Sequence, residues 1–272
     1  MISRPLFTNQ TIKDITISAL TTTACIIATQ KLDTPKKSTT TAPSDVVKAS
    51  VLASPFRSIC ASAVSNVPKE VLPIKILSSV GPTAVLSSVE SVITQTVINN
   101  TPKLNKQEQT MLGACLATPL TLPFDVWSII TAQKSTSNPI LKVKTVTLNN
   151  LPSIFSLASL RNGFWLTIAM TQRDKINTIA EKYSQNSSTK KELLTTGLTS
   201  IGAIPAAICH VGLCTTINQA SKAKNNYISP KEILSKTTAN IITKPGLLAI
   251  TLRCLHAGAF STILGAIQKK EN

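Results

Sequence analysis

The sequence predicts an all-α membrane protein: six transmembrane helices in three two-helix repeats, with short interfacial helices in the long loops. Three observations predict it. The chain has six long runs nearly free of charge, its connections alternate between long and short, and charged residues are scarce. Hydrophobic residues make up 43% of the 272 positions and charged ones only 15%, against about 25% charged in a typical soluble domain. A mean hydropathy of +0.19 suits helices that turn one face to lipid and another to a polar interior.

The runs place six spans near 9–30, 71–99, 108–133, 163–183, 192–221 and 245–268. Each exceeds the roughly 20 residues that cross a bilayer core. The first is uncharged from Ile15 to Gln30 and rich in Thr. Glu90 is the lone charge between Ile76 and Thr101, and Asp125 the lone charge between Met111 and Gln133. The fourth run carries Arg173, Asp174 and Lys175. Leu193 to Ser221 has no formal charge and holds Pro205 mid-run, a residue membrane helices tolerate because neighbours re-satisfy the freed carbonyl. Arg253 stands alone between Pro245 and Gln268. Ionisable groups in such positions are costly and usually face a bundle interior or an aqueous path.

Long connections, Lys31–Glu70, Lys134–Asn162 and Lys222–Lys244, follow the first, third and fifth runs; short ones, Pro102–Thr110 and Ser184–Glu192, follow the second and fourth. That alternation is a threefold pattern. Ser229-Pro230-Lys231-Glu232 is a capping box with proline at the first helical position, and it opens an amphipathic stretch suited to a membrane interface. The long loops hold 15 of the 28 basic residues and 4 of the 12 acidic ones. A positive-inside bias turns them to the more negative compartment, with both termini opposite.

A net charge of +16 first suggests nucleic acid. No Lys/Arg run exceeds a pair and aromatics are only 4%, too few for a base-stacking surface, so no nucleic-acid polymer is expected as partner. Cys25, Cys60, Cys115, Cys209, Cys214 and Cys254 show no CxxC spacing and read as small buried hydrophobes. His210 and His256 lack a ligand set, so neither zinc nor another cofactor is expected. The opening MISRPLFTNQTIKD has no signal-peptide core, and no leader is expected. There is no phosphate loop, nucleophile elbow or metal cluster, so the chain is not expected to be an enzyme.

At the end of the third run stands Leu122-Pro123-Phe124-Asp125-Val126. It resembles the Pro-x-Asp/Glu-x-x-Lys/Arg signature that ends odd-numbered helices of the mitochondrial carrier family. Leu160-Arg161-Asn162-Gly163-Phe164 resembles the entry to that family's fourth helix. Lys244-Pro245-Gly246 resembles the opening of the sixth, Gly81-Pro82-Thr83-Ala84 with Glu90 the second, and Gly258-Ala259-Phe260 the sixth helix of adenine nucleotide carriers. The signature's base would stand at Ser128, and the first and third signatures would fall near Thr21-Thr22-Thr23 and His210-Val211-Gly212, without proline or acid. A weak inner gate is therefore expected, with transport tolerating Asp125→Asn better than a fully paired carrier would.

The resemblance implies three repeats, 1–102, 103–188 and 189–272, in the mitochondrial inner membrane. It implies substrate contacts at Lys75 and Ser79, at Met170, Thr171 and Lys175, and at Arg253, with Pro123, Asp125 and Glu90 as gate and signature residues. Lys75, Lys175 and Arg253 would suit a small anionic metabolite such as a nucleotide, exchanged or imported by alternating access. Anionic lipids would meet the basic loops. The alternative is a carrier-like scaffold or adaptor that no longer transports.

Overall fold

A computed structural model describes residues 9–33, 42–133, 139–168, 172–185 and 187–270, and all extended regular structure among them is helical. The helices are α1 Asn9–Leu32, α2 Pro43–Val64, α3 Leu72–Asn100, α4 Lys106–Ala132, α5 Pro139–Asn149 and α6 Leu151–Leu166. They continue with α7 Arg173–Ser184, α8 Ser188–Gly202, α9 Ile204–Lys222, α10 Pro230–Ile241 and α11 Lys244–Lys270.

Four stretches are long and apolar enough to cross a membrane: Thr11–Leu32, Lys69–Asn100, Glu108–Ala132 and Lys244–Ile267. α8 and α9 make a fifth when taken as one span bent by 52°, with Pro205 in the first turn of α9. The chain is thus all-α with the helices of a multi-pass membrane protein. The run expected at 163–183 is not one helix. α6 ends at Leu166 and α7 begins at Arg173, and neither is long enough to span alone.

The largest departure falls in Lys31–Glu70, where the sequence suggests a long loop. Pro43–Val64 is a 22-residue helix there, with Val47, Ala49, Ala53, Ser54 and Cys60 fully buried. Asp45, Lys48, Arg57 and interspersed serines break up its apolar pattern. The serines are compatible with burial because their hydroxyls bond back to their own helix: Ser54 Oγ donates to Val51 O at 2.7 Å and Ser58 Oγ to Ser54 O at 3.2 Å.

Helix contacts run in a closed cycle from α2 to α3, α4, α6, α9, α11 and back to α2, with α7 and α8 packed together and α8 on α11. α2, α4 and α9 also touch one another across the middle. α8 approaches α11 closely at Gly258, where a Cβ would fall 2.9 Å from the Thr196 carbonyl oxygen. α4 opens with a reciprocal capping box: Asn105 Oδ1 accepts from Glu108 N, and Asn105 N donates to Glu108 Oε2, both at 2.9 Å. Ser229 caps α10, its Oγ accepting from Glu232 N at 3.3 Å.

α1 packs on α3 and α2 and leaves Ile12, Ile17, Leu20 and Ile27 exposed. It forms a hairpin with α2, where Ser44 N donates to Asp33 Oδ1 at 3.1 Å. Its joint to α3 is unusual. Gly81 N donates to Ser18 Oγ at 2.8 Å, and Ser18 Oγ donates to Leu77 O at 2.7 Å. The hydroxyl thus contacts both groups of a helical i→i−4 pair, next to Pro82. A Cβ on Gly81 would fall 2.7 Å from Ser18 Cα, backbone that has little room to yield. Gly81→Leu should therefore lower the thermal unfolding temperature in detergent, at a cost of about 1–3 kcal/mol. Ser18→Ala should cost less, about 1 kcal/mol. A Gly81→Leu protein as stable as the parent would show that α1 does not dock there.

Candidate functional site

The interior is organised around Asp125 on α4, two residues beyond Pro123. Opposite it on α2, Arg57 stands two residues beyond Pro55, so Pro55-Phe56-Arg57 repeats Pro123-Phe124-Asp125 with a base in place of the acid. One Asp125 oxygen pairs with Arg57 Nη2. The other lies 2.6 Å from Nη1 of Arg161 on α6. All three side chains are buried. Two fixed guanidinium groups on one carboxylate compensate a charge that would otherwise be expensive away from water.

The polar chain continues to α3. Arg161 Nε donates to Asn162 Oδ1 at 2.9 Å, and Asn162 Nδ2 donates to Glu90 Oε1 at 2.8 Å. Asn162 thereby splices an arginine to a second acid: its carbonyl faces the cation and its amide faces the carboxylate. Nearby hydroxyls join the same region. Ser58, next to Arg57, shares a hydrogen bond with Ser79 of α3. A single connected network therefore ties α2, α4, α6 and α3 together.

Arg253 of α11 is buried at 5% exposure, and the side chain that meets its guanidinium nitrogen among the described residues is a histidine. Its Nη1 lies 2.6 Å from His256 Nδ1. Its guanidinium carbon sits 5.3 Å from the Trp165 ring centroid, within cation–π range. Trp165 also packs against His256 at 5.5 Å and edge-on against Phe260 at 5.2 Å. Arg57, Arg161 and Asp125 are close enough to act on Arg253 electrostatically, so the two groups form one cluster. Below it lies an apolar layer of Val126, Ile129 and Ile130 from α4 against Val211, Leu213 and Ile217 from α9.

The structure brings together Asp125, Glu90, Ser79 and Arg253 of the expected residues, with Pro123 in α4 beside Asp125. It does not bring in Lys75, whose nearby charge is Asp14 of α1, nor Lys175, which is exposed on α7. Met170 and Thr171 lie outside the described residues. The sequence does not single out four contributors: Arg57, in a stretch with the pattern of a loop; Arg161 and Asn162, within a helix-entry motif; and His256. The repeated Pro-Phe pair was the available signal for Arg57. No protein-family model, curated protein or solved structure matches the chain.

The expectation that Asp125 lacks a partner is also corrected. Its bases do not come from position 128 on its own helix. They come from Arg57 and Arg161 on two others. Asp125→Asn should therefore be poorly tolerated, because it leaves two guanidinium groups facing each other with only the more distant Glu90, reached through Asn162, as counter-charge. A loss of about 3–5 kcal/mol is expected, read as aggregation or a large drop in unfolding temperature. A stable, monodisperse Asp125→Asn protein would show that the pair is not formed.

Proposed function

We propose that the chain is a solute carrier that exchanges or imports a small anionic metabolite, a nucleotide among the candidates, across the mitochondrial inner membrane by alternating access. The supporting observation is the charge within the helix cycle. Arg57, Arg161 and Arg253 face Asp125 and Glu90, so with both acids ionised one positive charge is in excess. Uncompensated charge among membrane helices is costly and is characteristic of ion and solute pathways. An anion is the natural complement, and arginine can bind its oxygens with two parallel N–H donors.

The same geometry offers a gate. α2, α4 and α9 meet across the middle, and Asp125 holds α2 to α4 through Arg57. An anion that competes with Asp125 for an arginine favours the separated state through its differential affinity for it. In this reading the carrier's three pairs of arms are α2 with α3, α4 with α6–α7, and α8–α9 with α11. α1 is an accessory span. The mitochondrial address rests on the likeness of Pro123-Phe124-Asp125 and its companions to the carrier signatures. The second reading, a transport-inactive scaffold, draws on how completely Asp125 is neutralised.

Reconstituted vesicles separate the two. Uptake from a panel of radiolabelled anions is expected for the parent chain, with lower apparent affinity for Arg253→Lys and none for Arg253→Ala, both still inserted. Absence of uptake or exchange with every anion would favour the scaffold. Adding α1 to six arms gives seven crossings and places the termini on opposite sides, contrary to the arrangement expected from six runs. Cysteine labelling at each end checks this; termini labelled from one side would remove α1 or one of the arms from the membrane.

A further inference from the structure

We infer that His256 is a proton site coupled to the anion site: an oxyanion and a proton enter the Arg253–His256 pair together. The inference rests on the carrier reading for the anion's role as cargo, and on the geometry of the pair for everything else.

A guanidinium has donors only, so at 2.6 Å from Arg253 Nη1 the His256 Nδ1 is the acceptor and its ring is neutral. A proton on Nδ1 ends that acceptance and turns the contact repulsive. The groups that act on His256 electrostatically from the surrounding helices are Arg253 on its own helix, Arg57 on α2 and Arg161 on α6. His210 on α9 is within electrostatic range, and the uncharged Trp165 ring of α6 packs against the imidazole. Every fixed charge in this set is positive. Two carboxylates are in range of these arginines: Asp125, already held by Arg57 and Arg161, and Glu90, engaged by the Asn162 amide.

Protonation alone is therefore opposed by the Arg253 contact that it would break. An oxyanion reverses that balance. It takes the Arg253 N–H groups that His256 had engaged, and the imidazolium Nδ1–H donates to another of its oxygens. The proton comes from water and no covalent bond changes. The Trp165 ring, backed by Phe260, forms an apolar wall beside both groups, where electrostatic attraction is stronger than in water. By linkage, the anion raises proton affinity by the same factor that the proton raises anion affinity. The chemical class is a compact oxyanion or an oxyanion group, and the transport consequence is co-movement of a proton with it.

Trp165 serves as the reporter, since an imidazolium quenches a neighbouring indole more than a neutral imidazole does. The chain has two tryptophans, so Trp127→Phe isolates it. The detergent-solubilised Trp127→Phe protein is titrated from about pH 8 to about pH 5 in sodium sulfate or in sodium chloride of equal ionic strength. Sulfate keeps its charge throughout. The expected result is a quenching midpoint higher in sulfate by about one pH unit, a tenfold coupling. Adding His256→Gln, which retains an acceptor oxygen for Arg253 but takes no proton, should flatten the trace, whereas adding His210→Gln should keep the shift. Equal midpoints in the two salts, no quenching in sulfate, or a titration that survives His256→Gln would overturn the inference. Should the His256→Gln protein fail to fold, the sulfate comparison alone decides. A sulfate shift without vesicle uptake removes the transport reading and leaves the coupled site; uptake without the shift does the reverse.

Discussion

The interior depends on one carboxylate. Asp125 is the point at which α4 is joined to α2 through Arg57 and to α6 through Arg161, and Asn162 extends the junction to Glu90 on α3. Among tightly packed helices a charge tolerates few neighbours, so this contact selects which faces can turn inward. Hydrophobic packing then fills the space that remains. α4 and α9 contribute Val126, Ile129, Val211 and Leu213 to the apolar core. Arg253 stands apart in kind, because its neighbours are aromatic rings and an imidazole. The cluster thus combines a half paired with a carboxylate and a half set among rings.

The helices around this cluster are rich in hydroxyl groups, and the hydrogen bonds explain how that composition can pack in a membrane-like interior. Thr118 Oγ1 donates to Ala114 O at 2.7 Å, Thr121 to Ala117 O at 3.1 Å, Thr83 to Ser79 O at 2.9 Å and Thr216 to Gly212 O at 2.9 Å. Each hydroxyl is satisfied by its own helix four residues back. To a neighbouring helix such a threonine presents largely its methyl group. Low aromatic content and modest hydropathy are therefore compatible with helices buried on several sides.

This also sets what the sequence could reveal. α3, α4 and α11 were legible because their runs hold one charge each, and α10 was legible because Ser229, Pro230 and Glu232 form a cap whose chemistry is local. α2 was not. Its serines and three charged side chains resemble a solvated segment until their partners on other helices are known, and Asp125 is 68 positions from Arg57. The site followed the same division. Arg253, Asp125 and Glu90 could be singled out as lone charges in apolar surroundings. Lys75 could not be placed, since the side of α3 it occupies is decided by α1 and Asp14. Arg161 sat in view within a helix-entry motif, but only a folded interior turns it toward Asp125.

The Ser18 joint has a consequence for the order of assembly. Its partners, Leu77 and Gly81, emerge from the ribosome some sixty residues after it. While α3 is alone, the Leu77 carbonyl and the Gly81 amide can bond to each other as in any helix. Ser18 adds its hydroxyl to both groups only when α1 arrives beside them. Docking of α1 thus requires a length of α3 that is made later. The nascent chain can complete the α1–α2 hairpin early, but it anchors α1 to α3 only on closing that three-membered contact.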